Sequence, residues 1–180
     1  FAEGGGGRPG DTDRVGESGQ RTLSRFAQLS ALVPMVGITS GRCFAGNASL
    51  LGCCDVIIAT EGSNIGMGGP AMIEGGGLGI YAPEDIGPMD VQVPSGVVDI
   101  LVRDEQEAVT AAKKYLSYFQ GRISTWVEPD QRLMRRIIPE NRLRVYDIRK
   151  VIDTLSDEGW VMELRPKFGL GCITSLSRVE

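Results

Sequence analysis

Two glycine-rich turns carry the residue types on which chemistry could be built: Glu3-Gly4-Gly5-Gly6-Gly7-Arg8 and Gly41-Arg42-Cys43-Phe44-Ala45-Gly46-Asn47. A backbone without Cβ atoms turns sharply and lets a ligand come within hydrogen-bonding distance of main-chain N–H groups. Two such turns converging on one point would form an oxyanion hole, a set of preorganised donors for negative charge developing on a carbonyl oxygen. The second turn reads as a loop entering a helix, whose N-terminus adds partial positive charge. Read singly, either run is equally a mobile surface loop, because glycine is common at turns. The order of elements around the pair favours a site.

Other chemistries are narrowed by composition. The sequence holds no histidine, which removes Ser-His-Asp and Cys-His catalysis and most transition-metal sites. Cys43, Cys53, Cys54 and Cys172 form no C-x-x-C pair, so a zinc site is not expected. Cys53 and Cys54 read as small buried hydrophobes of a reducing compartment. Backbone dipoles, carboxylates, lysines or a cofactor remain to do the work. Net charge is −4, which argues against binding nucleic acid through bulk charge. The cations Arg132, Arg135, Arg136, Arg142, Arg144, Arg149 and Lys150 crowd one stretch, read as a solvated linker or subunit contact, with a phosphate-bearing partner the lesser alternative. No apolar run approaches the roughly 20 residues that span a bilayer. The absence of an initial methionine suggests a start inside a domain, with any targeting segment upstream of Phe1.

The elements that must position the turns follow from periodicity. Leu23, Phe26, Ala27 and Ala31 recur at helical spacing between Gly16 and Leu32, and Pro34 stops that helix. Met35 to Ile38 is a short buried strand leading into the second turn. Ala45 to Cys54 reads as a small-residue helix, and Asp55 to Ala59 and Asn64 to Met67 as strands. Gly68 to Gly79 is glycine-dense but has neither a P-loop lysine nor a strand–GxGxxG–helix setting. Pro83 to Ile86 suits one helical turn. A strand over Asp99 to Val102 precedes a capping-box-like Asp104 and Glu107 and a helix with Ala108, Ala112, Tyr115, Leu116 and Phe119 on one face. Gly121 closes it, a linker with Pro129 and Pro139 follows, and Asp147 caps a helix through Leu155. Strands over 161–164 and 173–179 come last. Helix alternating with buried strand predicts α/β architecture with right-handed crossovers.

With these landmarks in order, the sequence resembles the carboxyltransferase (β) component of biotin-dependent acyl-CoA carboxylases, a branch of the crotonase superfamily. Gly5-Gly6-Gly7-Arg8 is similar to the family's Gly-Gly-Ala-Arg turn, and Gly41 to Asn47 to its Gly-x-x-Ala-Gly-Gly turn, with one extra residue and Asn47 in the last glycine position. Asp55-Val56-Ile57-Ile58, Gly69-Pro70, Glu84-Asp85 and Ser95-Gly96-Val97 match later landmarks. Val98-Asp99 stands where the family commonly has a histidine. The resemblance implies a crotonase-like ββα superhelix: the latter part of a first domain over 1–121, a linker over 122–145, and the start of a similar second domain over 146–180.

It also implies the chemistry. Biotin carried on a partner serves as its own base toward the acyl-CoA, and backbone N–H groups near Gly5, Gly6, Ala45 and Gly46 hold the enolate oxygen. Arg8 and Arg42 are candidates for coenzyme A phosphate contacts, with structural ion pairs the alternative; Gly69 and Pro70 join them at the binding site. Implied partners are a biotin carboxyl carrier protein, a biotin carboxylase subunit and further copies of the chain, as a dimer-based oligomer up to a hexamer, with no nucleic acid, membrane or metal. The implied compartment is the cytoplasm, or the mitochondrial matrix in a eukaryote. Two other readings stay open. A hydratase or isomerase would need a positioned acid or base, for which Glu3, Glu61, Glu74 and Glu84 are available. A non-catalytic assembly subunit would keep the fold alone.

Overall fold

The computed structural model describes residues 1–6 and 17–180. Strand β1 (Val36–Thr39), β3 (Val56–Thr60) and β5 (Ile100–Val102) form a parallel sheet in the order β1-β3-β5. Ile38 pairs with Ile58, and Ile58 with Ile100. Every residue of β3 is buried, as expected of a parallel strand covered on both faces. Alternation along it feeds two apolar clusters. Ile57 and Ala59 meet Ala48, Leu51, Ile65, Met89, Val93 and Val98, while Val56 and Ile58 meet Ile38, Val102, Ala108, Ala112 and Tyr115. A fully buried Val or Ile side chain contributes roughly 1.5–3 kcal/mol, so β3 anchors the core.

Parallel neighbours require crossovers, and these build a second layer. Strand β2 (Arg42–Phe44) pairs in parallel with β4 (Asn64–Gly66), Phe44 lying opposite Gly66. Helix α2 (Gly46–Gly52) then returns the chain to β3. After β4 come α3 (Pro70–Gly75), a helical turn over Pro83–Asp85 and α4 (Met89–Gln92). Helix α5 (Glu105–Ser117) starts as its sequence requires: Asp104 accepts from the Glu107 N–H at 2.9 Å, and Glu107 reaches the Arg103 N–H at 3.0 Å.

Short turns over Gln131–Leu133 and α6 (Met134–Ile137) precede α7 (Ile148–Leu155), whose cap Asp147 accepts from the Arg149 N–H. Strands β6 (Val161–Leu164) and β7 (Thr174–Ser177) form an antiparallel hairpin. Its Met162, Leu164 and Leu176 pack on the α5 side of the central sheet. Lys114 sits over the Trp160 ring, 3.4 Å from its centroid, and Arg178 donates to the Ser117 and Gly121 carbonyls. Arg132 and Arg149 of the basic stretch are tied to Asp130 and Glu163. Among the described residues no helix is long and apolar enough to cross a membrane.

Asp99 joins the hairpin to the sheet. It is 4% exposed and accepts from the Ile57 N–H at 2.7 Å and Arg165 Nε at 2.6 Å. Asp99→Ala leaves a buried N–H without its partner and Arg165 without its anion. The expected cost is about 2–4 kcal/mol, read as faster hydrogen exchange across both β3 and the loop after β6. Exchange unchanged in both would refute this.

The structure departs from the sequence-based elements in four places. Helix α1 (Glu17–Ala27) ends well before Pro34, and Ala31, expected on its apolar face, lies beyond it with φ 65°. Strand β2 occupies the middle of what reads as a continuous turn. Helices α3 and α4 form where only glycine density and irregular chain are legible. Residues 131–137 of the linker are helical.

Candidate active site

The first glycine turn is held by β2. The Gly4 N–H donates to the Arg42 carbonyl at 2.6 Å, and the Phe44 N–H donates to the Gly4 carbonyl at 3.0 Å. This added strand pairing carries Gly5 and Gly6 to the end of β2, where the chain turns into α2. The approach is close: a Cβ on Gly6 would lie 3.0 Å from Ala45 Cβ, and Gly6 has φ +79°. Ala45 itself, at the N-cap of α2, has φ 53° and ψ −122°. A non-glycine residue held there stores backbone strain, a feature that concentrates at functional sites.

The donors around this point differ in availability. The Ala45 N–H donates to the Gly66 carbonyl at 3.1 Å and is committed to the fold. The N–H groups of Gly5, Gly6 and Gly46 have no partner among the described residues. Gly46 opens α2, where N–H groups lack intrahelical acceptors.

A cavity of about 350 Å³ lies against these turns, within the size range of small-molecule sites. Gly5, Gly6, Arg42, Ala45, Gly69 and Pro70 line it together with Phe44, Ala71, Met72 and Pro83. Gly69 belongs there for a steric reason, since a Cβ would sit 3.1 Å from the Gly5 carbonyl oxygen and 3.3 Å from the Phe44 ring. Pro70 then starts α3 at the position where a missing N–H costs nothing. Gly46 is not in the lining, and a Cβ there would meet nothing among the described residues within 4 Å. Arg8 lies outside the described residues.

Arg42 forms an ion pair with Glu84 at the cavity rim, both side chains more than half exposed. A hydrogen bond from its own backbone and then the Arg42 contact hold the Glu84 carboxyl below the usual carboxylate range. Glu84 therefore remains an anion and is no proton donor near neutrality. None of Glu3, Glu61, Glu74 and Glu84 lines the cavity, and Glu3 instead accepts from the Ser40 N–H at 3.0 Å. Cys43 is fully buried, and its thiol is pushed up to about 11 by burial first and by the Glu3 charge second. It is a packing residue, not a nucleophile. Asn47 fits because Gly4 has no side chain: a Cβ there would lie 2.4 Å from Asn47 Nδ2. Val98 and Asp99 belong to the core and the hairpin contact, away from the cavity lining.

Phe44, Ala71, Met72 and Pro83 are cavity residues that sequence reasoning did not name. The available signals were Pro70 as a helix start and Phe44 as the apolar residue just before Ala45-Gly46.

Comparison with known proteins agrees with this architecture. A single-chain, multi-domain long-chain acyl-CoA carboxylase of known structure superposes over 100% of this chain and 18% of its own, with TM-score 0.94 and 59% identity. The transcarboxylase 12S hexamer, at 24% identity over 89% of this chain and 33% of its own, shares the fold with TM-score 0.74. The β chain of mitochondrial methylcrotonoyl-CoA carboxylase from Dictyostelium discoideum is 28% identical over 181 residues, covering 94% of this chain and 30% of its own. The chain spans about a third of the length of the curated relatives it matches. The carboxyl transferase domain pattern matches residues 12–180. With the crotonase-like α/β layers and the two converging glycine turns, this match means that the chain belongs to the carboxyl transferase domain family.

Proposed function

We propose that the protein containing this chain is the carboxyltransferase component of a biotin-dependent acyl-CoA carboxylase, moving a carboxyl group to the α-carbon of an acyl-CoA. The observation that carries this reading is a cavity at two converging glycine turns with unpartnered backbone donors and no carboxylate in its lining among the described residues. Removing an α-proton from a thioester places negative charge on its oxygen. Gly5 and Gly6 offer N–H groups to that oxygen from the lining, and Gly46 from the start of α2 outside it; one such donor is worth on the order of 10²–10³ in rate. Ala45 serves by its strained backbone, which turns Gly46 into place. When bound, carboxybiotin supplies both the carboxyl group and the base, which suits a site whose own residues offer none. Arg42, with Arg8, contacts coenzyme A phosphates, and Gly69-Pro70 shapes the wall.

The remaining assignments rest on the family. Residues 1–121 form the latter part of one crotonase-like domain, 122–145 a linker and 146–180 the opening of a second domain, its hairpin docked on the first. The partners are a biotin carboxyl carrier and a biotin carboxylase. The subunits form a dimer-based oligomer, as the 12S neighbour forms a hexamer. The compartment is the cytoplasm or, in a eukaryote, the mitochondrial matrix.

The test is carboxyl transfer from carboxybiotin to a coenzyme A thioester by the full-length protein. Glu3→Gln, Glu61→Gln, Glu74→Gln and Glu84→Gln should each cost less than about tenfold, well short of the 10²–10⁴-fold effect of a general acid–base residue. One of these variants abolishing turnover while folded, or hydration of an enoyl thioester in place of transfer, would replace this reading with hydratase or isomerase chemistry.

A further inference from the structure

The cavity has a wall that the fold does not need. Helix α3 contains no buried residue, yet Pro70, Ala71 and Met72 line the cavity. Met72 is 61% exposed although it carries a large apolar side chain. It lies over Gly68, where a Cβ would be 3.3 Å from Met72 Sδ. Glycine follows α3 at Gly76, Gly77 and Gly79, the last two with φ +69° and +115°, and the next side chains, Leu78 and Ile80, are 72% and 83% exposed. Burial does not explain why an apolar, unbranched side chain sits at this position. The rest of the lining includes Gly5 and Gly6 of the strand-paired first turn and Phe44, which is 1% exposed.

An acyl thioester leaves its carbonyl in two directions of different chemistry. The coenzyme A arm ends in phosphates and calls for a cation, and the rim holds Arg42 on β2, paired with Glu84. The acyl arm is apolar and gains by contact with apolar surface. Methionine is suited to chains of varying length because its side chain is flexible and polarisable.

We propose that Met72 on α3 receives the aliphatic chain of the acyl group and is a specificity-determining residue. This rests on the acyl-CoA reading above, and the experiment separates the two. Affinities of the full-length protein for non-reactive S-ethyl, S-hexyl and S-decyl thioethers of coenzyme A are measured by calorimetry, beside carboxyl transfer to the matching thioesters. Each methylene covered by the wall should tighten binding by up to about fourfold. Met72→Gln keeps the volume and removes the apolar character. It should weaken S-decyl binding about tenfold or more and change S-ethyl binding less than about threefold, since transfer energy scales with the apolar surface buried. Met72→Trp should show the same skew by filling the space. With no buried residue in α3, both variants should keep the wild-type circular dichroism. Equal losses at every chain length, or none, would overturn the assignment of Met72. Chain-length-dependent binding through Met72 without carboxyl transfer in the wild type would uphold it and overturn the carboxyltransferase reading.

Discussion

Replacing Gly5 by valine is expected to lower carboxyl transfer by about 10²-fold or more while leaving the fold intact. Gly5 lines the cavity beside Gly6 and Ala45. It lies outside the left-handed region, and a Cβ there would meet no atom of the described residues within 4 Å. The protein thus tolerates the added side chain, and the bulk falls on the space where a thioester must approach the backbone donors. A shift of even 1 Å in a donor or substrate costs rate steeply, because the preorganised geometry supplies the stabilisation. Gly6→Val makes a useful contrast. With φ +79° and Ala45 Cβ only 3.0 Å from the new Cβ, it should lose activity and stability together. The measurement is kcat/KM for transfer, with hydrogen exchange over residues 1–6 and 42–47 as the structural control. A folded Gly5→Val protein within threefold of wild type would place the chemistry elsewhere.

The second large effect is expected at Gly87, outside the cavity. Gly87 has φ +57°, and a Cβ there would lie 1.7 Å from the Ile65 carbonyl oxygen and 2.7 Å from Gln92 Nε2. The backbone at this point clamps β4: the Ile65 N–H donates to the Gly87 carbonyl at 2.9 Å, and Gln92 Nε2 donates to the Ile65 carbonyl at 2.6 Å. Gly87→Ala must move the loop before α4 away from β4. The left-handed conformation costs roughly 1–2 kcal/mol, and each lost buried hydrogen bond about 1–3 kcal/mol, giving an expected loss of about 3–5 kcal/mol. Native-state hydrogen exchange across β4 should accelerate accordingly. Transfer should also fall, because Asn64 Nδ2 holds the Glu84 and Ile86 carbonyls and so positions the Pro83–Glu84 rim. Unchanged protection at Ile65 would show that the chain relieves the clash without loosening β4.

Local pattern determined much of this protein by itself. The apolar run Val56 to Ala59 was bound to be a central strand because nothing in it tolerates water. Asp104 with Glu107 marked a helix start because those side chains satisfy N–H groups that a helix leaves open. Local pattern singled out the two glycine turns, of which Gly5, Gly6, Arg42 and Ala45 line one cavity and Gly46 does not.

What remained illegible depends on contacts between residues distant in sequence. Arg42, Cys43 and Phe44 are too few to announce a strand, and β2 exists because Asn64 to Gly66 pairs with one edge and Gly4 with Cys43. The commitment of the Ala45 N–H to Gly66 removes one donor from the expected set, and no local rule foretells a bond across 21 residues. Asp99 gave no sign that it would be shared by Ile57 and Arg165, the latter 66 residues away. Helix α3, with glycines at both ends and no buried face, has weak intrinsic propensity; its place in the wall follows from Gly69 resting against Gly5 and Phe44. Propensity and periodicity act over one or two turns of chain. Which N–H is satisfied, which carboxylate is buried and which side chain faces a cavity are decided by strand register and packing, and those exist only in the folded molecule.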